Sequence, residues 1–537
     1  MYKTFRTSFG QDVFNMKYQH RLAEDWEQLA STLANHVCGG LLSENAVEKI
    51  AHIIGQKKFI PGGRYLYYAG RPTAFFNNCF AMGVEDTREG WAKLVHNATS
   101  ALMIGGGIGT VYSDLRPEGS PLQKTGGVAS GPIPLMQMMN EIGRNVQQGG
   151  SRRSALWAGL HWNHDDIDKF IHLKDWTHEI QRLKAVDYNF PATMDMTNIS
   201  VLFDDDWRSH ADYGKDTDIF NQVVEQMCRT GEPGMCFNFG YQSQEVFRNA
   251  CCEFITDEDS DMCNLGSINL AAIESLEELQ RVVSLASAFL VCGSVRAELP
   301  YEKCKEVRDR KRKIGLGLMG VHEWLLKRGC EYEVTSELRD WLTIYRDVSE
   351  YAGIHTAKQI GVSEPVRFRA IAPAGTISIM AGTTSGIEPL FAVAVKRRYL
   401  VGGRHWKHQY FIDPTAKAIS EELGIDPDSI TTAYKLAADP ERRIKFQADI
   451  QRYVDMGISS TINLPEWGSK LNNEETVPKL AEIIRRHCHS LRGITTYPNN
   501  ARAGQTLTEV PFREAEEKEG QEFDSSEHQC KSGVCGI

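Results

Sequence analysis

The sequence has no dense block of lysine and arginine: 60 basic residues stand against 70 acidic ones, for a net charge of −10. The counterion-release footprint of a nucleic-acid binder is therefore missing, although a short cluster such as Gly-Gly-Ser-Arg-Arg-Ser at 149–154 is enough to hold one phosphate. No run approaches eighteen apolar residues, and the first ten residues lack the charged-then-apolar layout of a signal peptide. The expectation is a soluble, cytoplasmic chain (host cytoplasm if the source is viral) with no membrane and no nucleic acid among its partners. Also missing is any repeated Cys-x-x-Cys framework. The 13 cysteines are odd in number and scattered, so most are expected to be buried structural thiols in a reducing compartment.

What is present suggests an α/β enzyme. At 42% hydrophobic content over 537 residues the chain can bury a large core. Residues 1–75 read as a helical N-terminal region. Two helices stand out in it, over 25–38 and 43–59, the second opened by Ser43 as a cap and stopped at Ile-Pro-Gly-Gly-Arg. Across 76–512, short β-branched runs alternate with helical patterns and Gly-rich connections, which favours α/β. Residues 513–537 read as a flexible acidic tail. Within it, 514–529 carries seven acidic residues against one lysine and reads as a disordered linker.

Two Gly-rich stretches bear on ligand binding. Met-Ile-Gly-Gly-Gly-Ile-Gly at 103–109 lacks the spacing of a dinucleotide fingerprint; it is either a close backbone approach to a ligand or a tight turn packed on a strand. In 372–391, Gly375, Thr376 and Ser378 follow Pro373 and read either as phosphate donors at a helix start or as a plain cap.

The segment 231–270 is more telling. Asn249, Cys251 and Glu253 alternate by two in Asn-Ala-Cys-Cys-Glu, so in an extended chain an amide, a thiol and a carboxylate share one face. An amide can bond hydroxyls, a carboxylate can take a proton, and a thiol can do nucleophilic or radical work.

With Asn-Asn-Cys-Phe-Ala-Met at 77–82, Cys-Asn-Leu-Gly-Ser-Ile-Asn-Leu at 263–270, Gln-Gly-Gly-Ser-Arg-Arg-Ser-Ala at 148–155, Arg-Lys-Ile-Gly-Leu-Gly-Leu-Met-Gly at 312–320, the 372–391 stretch and a Cys-x4-Cys end, the ordered set resembles the catalytic chain of ribonucleotide reductase. The resemblance implies a ten-stranded α/β barrel with a central finger loop. It implies that Cys251 becomes a thiyl radical and takes the 3′ hydrogen of a ribose, with Glu253 as base and Asn249 bonding the sugar. It implies that Cys79 and Cys263 supply two electrons, and that substrate is held by Asn78, Gly106, Gly107, Ala374, Gly375, Thr376, Ile377 and Ser378. Cys252 stands where the family usually has glycine.

The same resemblance frames cofactor and partners. Members that depend on a separate metal subunit carry two adjacent tyrosines near the end of the barrel; here 491–507 holds Tyr497 alone, and the pair Tyr67–Tyr68 lies at the other end. The expected cofactor is therefore adenosylcobalamin, with dependence on a radical-generating metal subunit as the alternative and a thiol oxidoreductase as a more distant one. No metal-ligating residue is assigned. A deoxynucleoside triphosphate effector is expected near 126–132 and 147–159, with Arg152 and Arg153 as its contacts, and no ATP-cone is recognised among residues 1–75. Cys530 and Cys535 are expected to form a redox dithiol that carries electrons from a thioredoxin- or glutaredoxin-like reductant to the active site. The substrate is a ribonucleoside di- or triphosphate, and the chain is expected to be a monomer or homodimer.

Overall fold

The structure, a computed structural model, describes residues 4–77, 79–146, 154–187, 190–210, 215–262, 264–401, 405–501 and 507–524. Asn78, Arg152, Arg153, Cys263, Cys530 and Cys535 lie outside them.

The N-terminal helices form where the caps lie. Asp25 accepts from Gln28 N–H (2.8 Å) at the start of Trp26–Cys38, and Ser43 opens Glu44–Gly55, each satisfying a backbone donor that the first turn leaves over. Between them they bury Trp26, Leu29, Leu33, Val37, Ile50 and Ile54 almost completely, each worth roughly 1.5–3 kcal/mol of transfer energy. This face does not form a separate domain. It packs on the helix Leu276–Arg296 and shares one hydrophobic core with residues 268–387 and 436–458. Leu276–Arg296 is long and apolar enough to span a membrane by length and composition, and most of its apolar window is buried inside the protein.

Strands β2 (Cys79–Gly83), β3 (Gly107–Val111), β4 (Leu156–His161), β5 (Thr197–Asp204) and β6 (Gly234–Asn238) run parallel. Helices such as Arg88–Met103, Ile133–Asn145 and Lys215–Thr230 connect them, as parallel pairing requires. On one side β6 meets β15 (Gly493–Pro498) antiparallel, and β15 pairs with β14 (Thr461–Leu464); on the other, β2 meets β9 (Asp261–Met262). This eight-stranded sheet covers a second hydrophobic core.

A three-stranded sheet sets β10 (Leu265–Asn269) between β1 (Phe59–Pro61) and a parallel β11 (Gly315–Met319). Single parallel bridges, Leu316 with Arg369 and Ile371 with Ile458, continue from β11 toward β14. Among the described residues the ladders stop short of a closed ring. Between β6 and β10 the chain makes a hairpin, β7 (Phe247–Arg248) against β8 (Ile255–Thr256).

The acidic end differs from its sequence reading. Helix Phe512–Lys518 and β17 (Glu522–Asp524) are part of an antiparallel sheet ordered β16-β12-β13-β17, with β12 Ala394–Val401, β13 His405–Ile412 and β16 Leu507–Glu509. Ala515 is wholly buried against Ala394, Tyr410 and Ile412, and Tyr410 Oη donates to Glu514 Oε1 (2.7 Å). One buried alanine and a row of backbone pairs order a stretch whose charge suggested disorder, and the rest of the tail reading, from 525 onward, lies outside the described residues.

Candidate active site

The β7–β8 hairpin is held from two sides by glycines. A Cβ on Gly109 of β3 would stand 2.1 Å from Arg248 O, and one on Gly457 would stand 2.6 Å from Cys252 O. Gly457 N–H also donates to Glu253 O (2.7 Å). Only a bare backbone permits such approach on both faces. The glycines of 103–109 thus serve strand-to-hairpin packing, and Gly105 serves a side chain: at φ +86 its Cβ position coincides with the guanidinium of Arg64, which donates to Gly105 O (2.5 Å).

At the hairpin tip the expected extended alternation gives way to a turn. Cys252 N–H donates to Asn249 O (3.1 Å), Asn249 N–H to Phe254 O (3.2 Å), and Cys252 sits at φ +65. Asn249 and Glu253 still meet, because the turn folds Glu253 back over Asn249, whereas Asn249 itself is not among the residues lining the cavity that Cys251 and Glu253 share. Asn249 Nδ2 donates to Glu253 Oε1 (2.8 Å), and Asn249 Oδ1 accepts from Phe254 N–H (3.1 Å). Asn249 is fully buried and Glu253 nearly so. Burial pushes the Glu253 carboxyl up to about 7, against the opposing donation of its own N–H and of Asn249. Its Oε2 has no hydrogen-bond partner among the described residues.

Cys251 and Glu253 line a cavity of about 290 Å³ together with Cys79 at the first position of β2. Of the residues read as substrate-binding, Gly107, Ala374, Gly375, Thr376 and Ile377 line it. Gly106 instead packs its backbone under Phe80, and Ser378 donates from Oγ to Gly375 O (3.1 Å) within its own turn. The helix Gly375–Ala381 begins at the cavity, and Ser378 N–H, bonded to Ala374 O (2.7 Å), makes its first internal bond. The N–H groups of Gly375, Thr376 and Ile377 precede that bond, as donors for an anionic group. No side chain caps this helix, whose N-cap position is Ala374.

Several lining residues carried no usable sequence signal. Tyr18, at the end of the helix Ser8–Lys17, reads as ordinary helix-face packing yet reaches the cavity beside Gly62 and Gly63. The Gly62–Gly63 pair, read only as a helix stop, lets it do so: a Cβ on Gly63 would lie 2.8 Å from Tyr18 Oη. Cys263 lies outside the described residues, but its neighbour Met262 pairs with Phe80, one residue along from Cys79.

A family model described as ribonucleotide reductase, barrel domain, matches residues 77–208, 203–359 and 336–497. A vitamin B12-dependent ribonucleoside-diphosphate reductase of Thermoplasma acidophilum is 28% identical, the alignment covering 92% of this chain and 70% of that protein. One of the same name from Mycobacterium tuberculosis is 27% identical over 87% of this chain and 74% of its own length. A protein of Mycobacterium phage D29, provisionally named an adenosylcobalamin-dependent ribonucleoside-triphosphate reductase, is 26% identical over 85% of this chain and 76% of its own.

Proposed function

The chain belongs to the ribonucleotide reductase family by its barrel domain, and from that premise we propose that it reduces ribonucleotides to 2′-deoxyribonucleotides by a thiyl-radical mechanism dependent on adenosylcobalamin. The observation that carries this reading is the placement of Cys251, Glu253 and Cys79 on one cavity, with Glu253 buried, raised to about 7 and holding an unpartnered oxygen.

In this reading the Cys251 radical takes the 3′ hydrogen atom of the ribose, a C–H bond too weakly acidic for a base to break. Glu253 accepts the 3′-hydroxyl proton. Asn249 fixes Oε1 of Glu253, which leaves Oε2 for substrate, and the second Nδ2 hydrogen of Asn249 is available to a sugar hydroxyl. The 2′ hydroxyl leaves as water, Cys79 and Cys263 give up two electrons and two protons to become a disulfide, and the hydrogen atom returns to C3′. The Phe80–Met262 register supports that pairing. Backbone donors at Gly375, Thr376 and Ile377 hold the phosphates, and Gly107 lines the same cavity.

Beside Tyr18, Leu265, Pro373 and Ile377, the cavity that Cys251 lines carries many small residues, Gly105, Gly107, Ala155, Gly266, Ala374 and Gly375 among them, and a Cβ on Gly375 would meet nothing within 4 Å. The open side at Gly375 fits approach of a cofactor toward the thiol. Bound on that side, adenosylcobalamin would supply the radical chemistry that Cys251 needs to become a thiyl. The relatives named as B12-dependent diphosphate reductases support this cofactor and a diphosphate substrate. Closure of the strands into a ten-stranded barrel around the hairpin is part of the proposal, supported by the bridges from β11 to 369–371 and 458. So are an effector deoxynucleoside triphosphate at 126–132 with Arg152 and Arg153, and electron delivery by Cys530 and Cys535 from a thioredoxin- or glutaredoxin-like protein.

The test is an anaerobic assay of the full chain with cytidine diphosphate or triphosphate and a dithiol, with and without adenosylcobalamin. Deoxynucleotide should form only in the cobalamin arms. Formation that needs a separate radical-generating metal subunit would move the chain to that alternative, and no product in any arm would end the proposal.

A further inference from the structure

A second pair of thiols lies beneath the radical cysteine. Cys236 projects from β6 into a nest of Val111, Trp157 and Leu202, and Cys252, packed on the same nest, donates its S–H to the Cys236 sulfur. Neither cysteine has a place in the reaction just described.

Three features set this pair apart from a packed core contact. Cys252 holds a left-handed conformation at φ +65, a strained one for a residue with a Cβ, and it does not line the cavity that Cys251 lines. Two buried guanidinium groups act on Cys236: Arg248, wholly buried, and Arg492, 5% exposed, each with two donor nitrogens unpartnered among the described residues. The approach runs through neighbours. Val111, Leu202, Val246 and Phe247 of the nest also line an open cavity of about 470 Å³, and Cys252, which keeps partial exposure, covers the buried Cys236. Cys38 and Cys292 also touch, in the helical core, and there both partners are wholly buried.

We infer that Cys236 and Cys252 are a redox modification site, oxidised by a hydroperoxide to a disulfide that ties the tip of the catalytic hairpin to β6. The Cys236 thiolate attacks one peroxide oxygen; the O–O bond breaks, hydroxide departs and takes up a proton as water, and Cys236 becomes a sulfenic acid. The Cys252 sulfur then displaces that hydroxyl, which leaves as water with the Cys252 proton. The sulfurs lose two electrons and the peroxide gains two. Burial would hold the Cys236 thiol high, but donation from Cys252 and Ser200 and the two guanidiniums draw it below the ordinary thiol value, whereas burial pushes Cys228 and Cys304 up to about 12. Thiolate character decides which thiol reacts first. The inference does not depend on which reaction Cys251 performs.

The experiment uses the full chain, reduced, freed of dithiol, treated with stoichiometric hydrogen peroxide, then alkylated, digested and mapped by mass spectrometry. A peptide cross-linked through Cys236 and Cys252 should appear while Cys228 and Cys304 remain alkylatable, and dithiothreitol should reverse it. The same cross-link should form in a Cys79→Ser chain, which cannot pass oxidation on from Cys79. Cys252→Gly keeps the backbone conformation and should abolish the cross-link. Full alkylation of both Cys236 and Cys252 after peroxide, or a cross-link from Cys252 to Cys251 in place of Cys236, would overturn the inference.

Discussion

At the scale of single residues, Glu253 sets the pH behaviour. A carboxyl raised to about 7 in the folded chain and ordinary in the unfolded one leaves the folded state binding the extra proton. Stability is then full at acidic pH and falls as pH rises from about 4.5 to 7. Glu253→Gln should therefore raise stability by about 3 kcal/mol at pH 8 and by little at pH 4.5, measured by chemical denaturation. The same variant should lose turnover, and wild-type kcat/KM should climb through pH of about 7 as the base ionises. Cys251→Ala should abolish turnover; Cys252→Gly should retain most of it and gain about 1 kcal/mol from the relieved φ. The sequence made these residues legible by identity but not by conformation. Two-residue spacing suggested a strand, and nothing in Asn-Ala-Cys-Cys-Glu announces a turn, because the position that glycine would have marked holds Cys252.

At the scale of elements, the hairpin depends on the strands beside it more than on its own sequence. Gly109→Ala places a methyl group against Arg248 O at 2.1 Å, so the hairpin must move or the strand must. We expect a loss of about 1–3 kcal/mol in thermal unfolding, together with a fall in turnover larger than that stability loss explains. Helices with side-chain caps, Trp26–Cys38 and Glu44–Gly55, were legible because cap, amphipathic face and stop signal agree. Their destination was not, because caps and periodicity do not say which core a helix joins: the segment shares one with the second half of the chain and brings Tyr18 to the cavity. The stretch 512–524 was misread for a related reason. Composition counts side chains, whereas this segment is held largely by backbone pairing to β13.

For the whole molecule, two hydrophobic cores, one under the eight-stranded sheet and one under the N-terminal helices, flank the hairpin that carries Cys251. The ordered motifs made the family legible end to end, because each was spaced by intact elements. The redox partner of that machinery is expected at Cys530 and Cys535: replacing both by Ser should spare a single turnover and stop multiple turnover driven by a thioredoxin-like protein, and unchanged multiple turnover would refute the role. Where the chain is moored bears on that role. Lys407 pairs with Asp524, so the arm that ends in Cys530 is six residues long counted from Asp524 (530 − 524), and a strand of that length reaches about 20 Å at most. A longer stroke requires β17 to unzip from β13, three residue pairs in all. Electron delivery would then be gated by the fraying of a sheet edge. Replacing both Glu522 and Phe523 by Pro, which removes whichever of the two amides faces β13, should quicken thioredoxin-driven turnover while leaving the first turnover as it was.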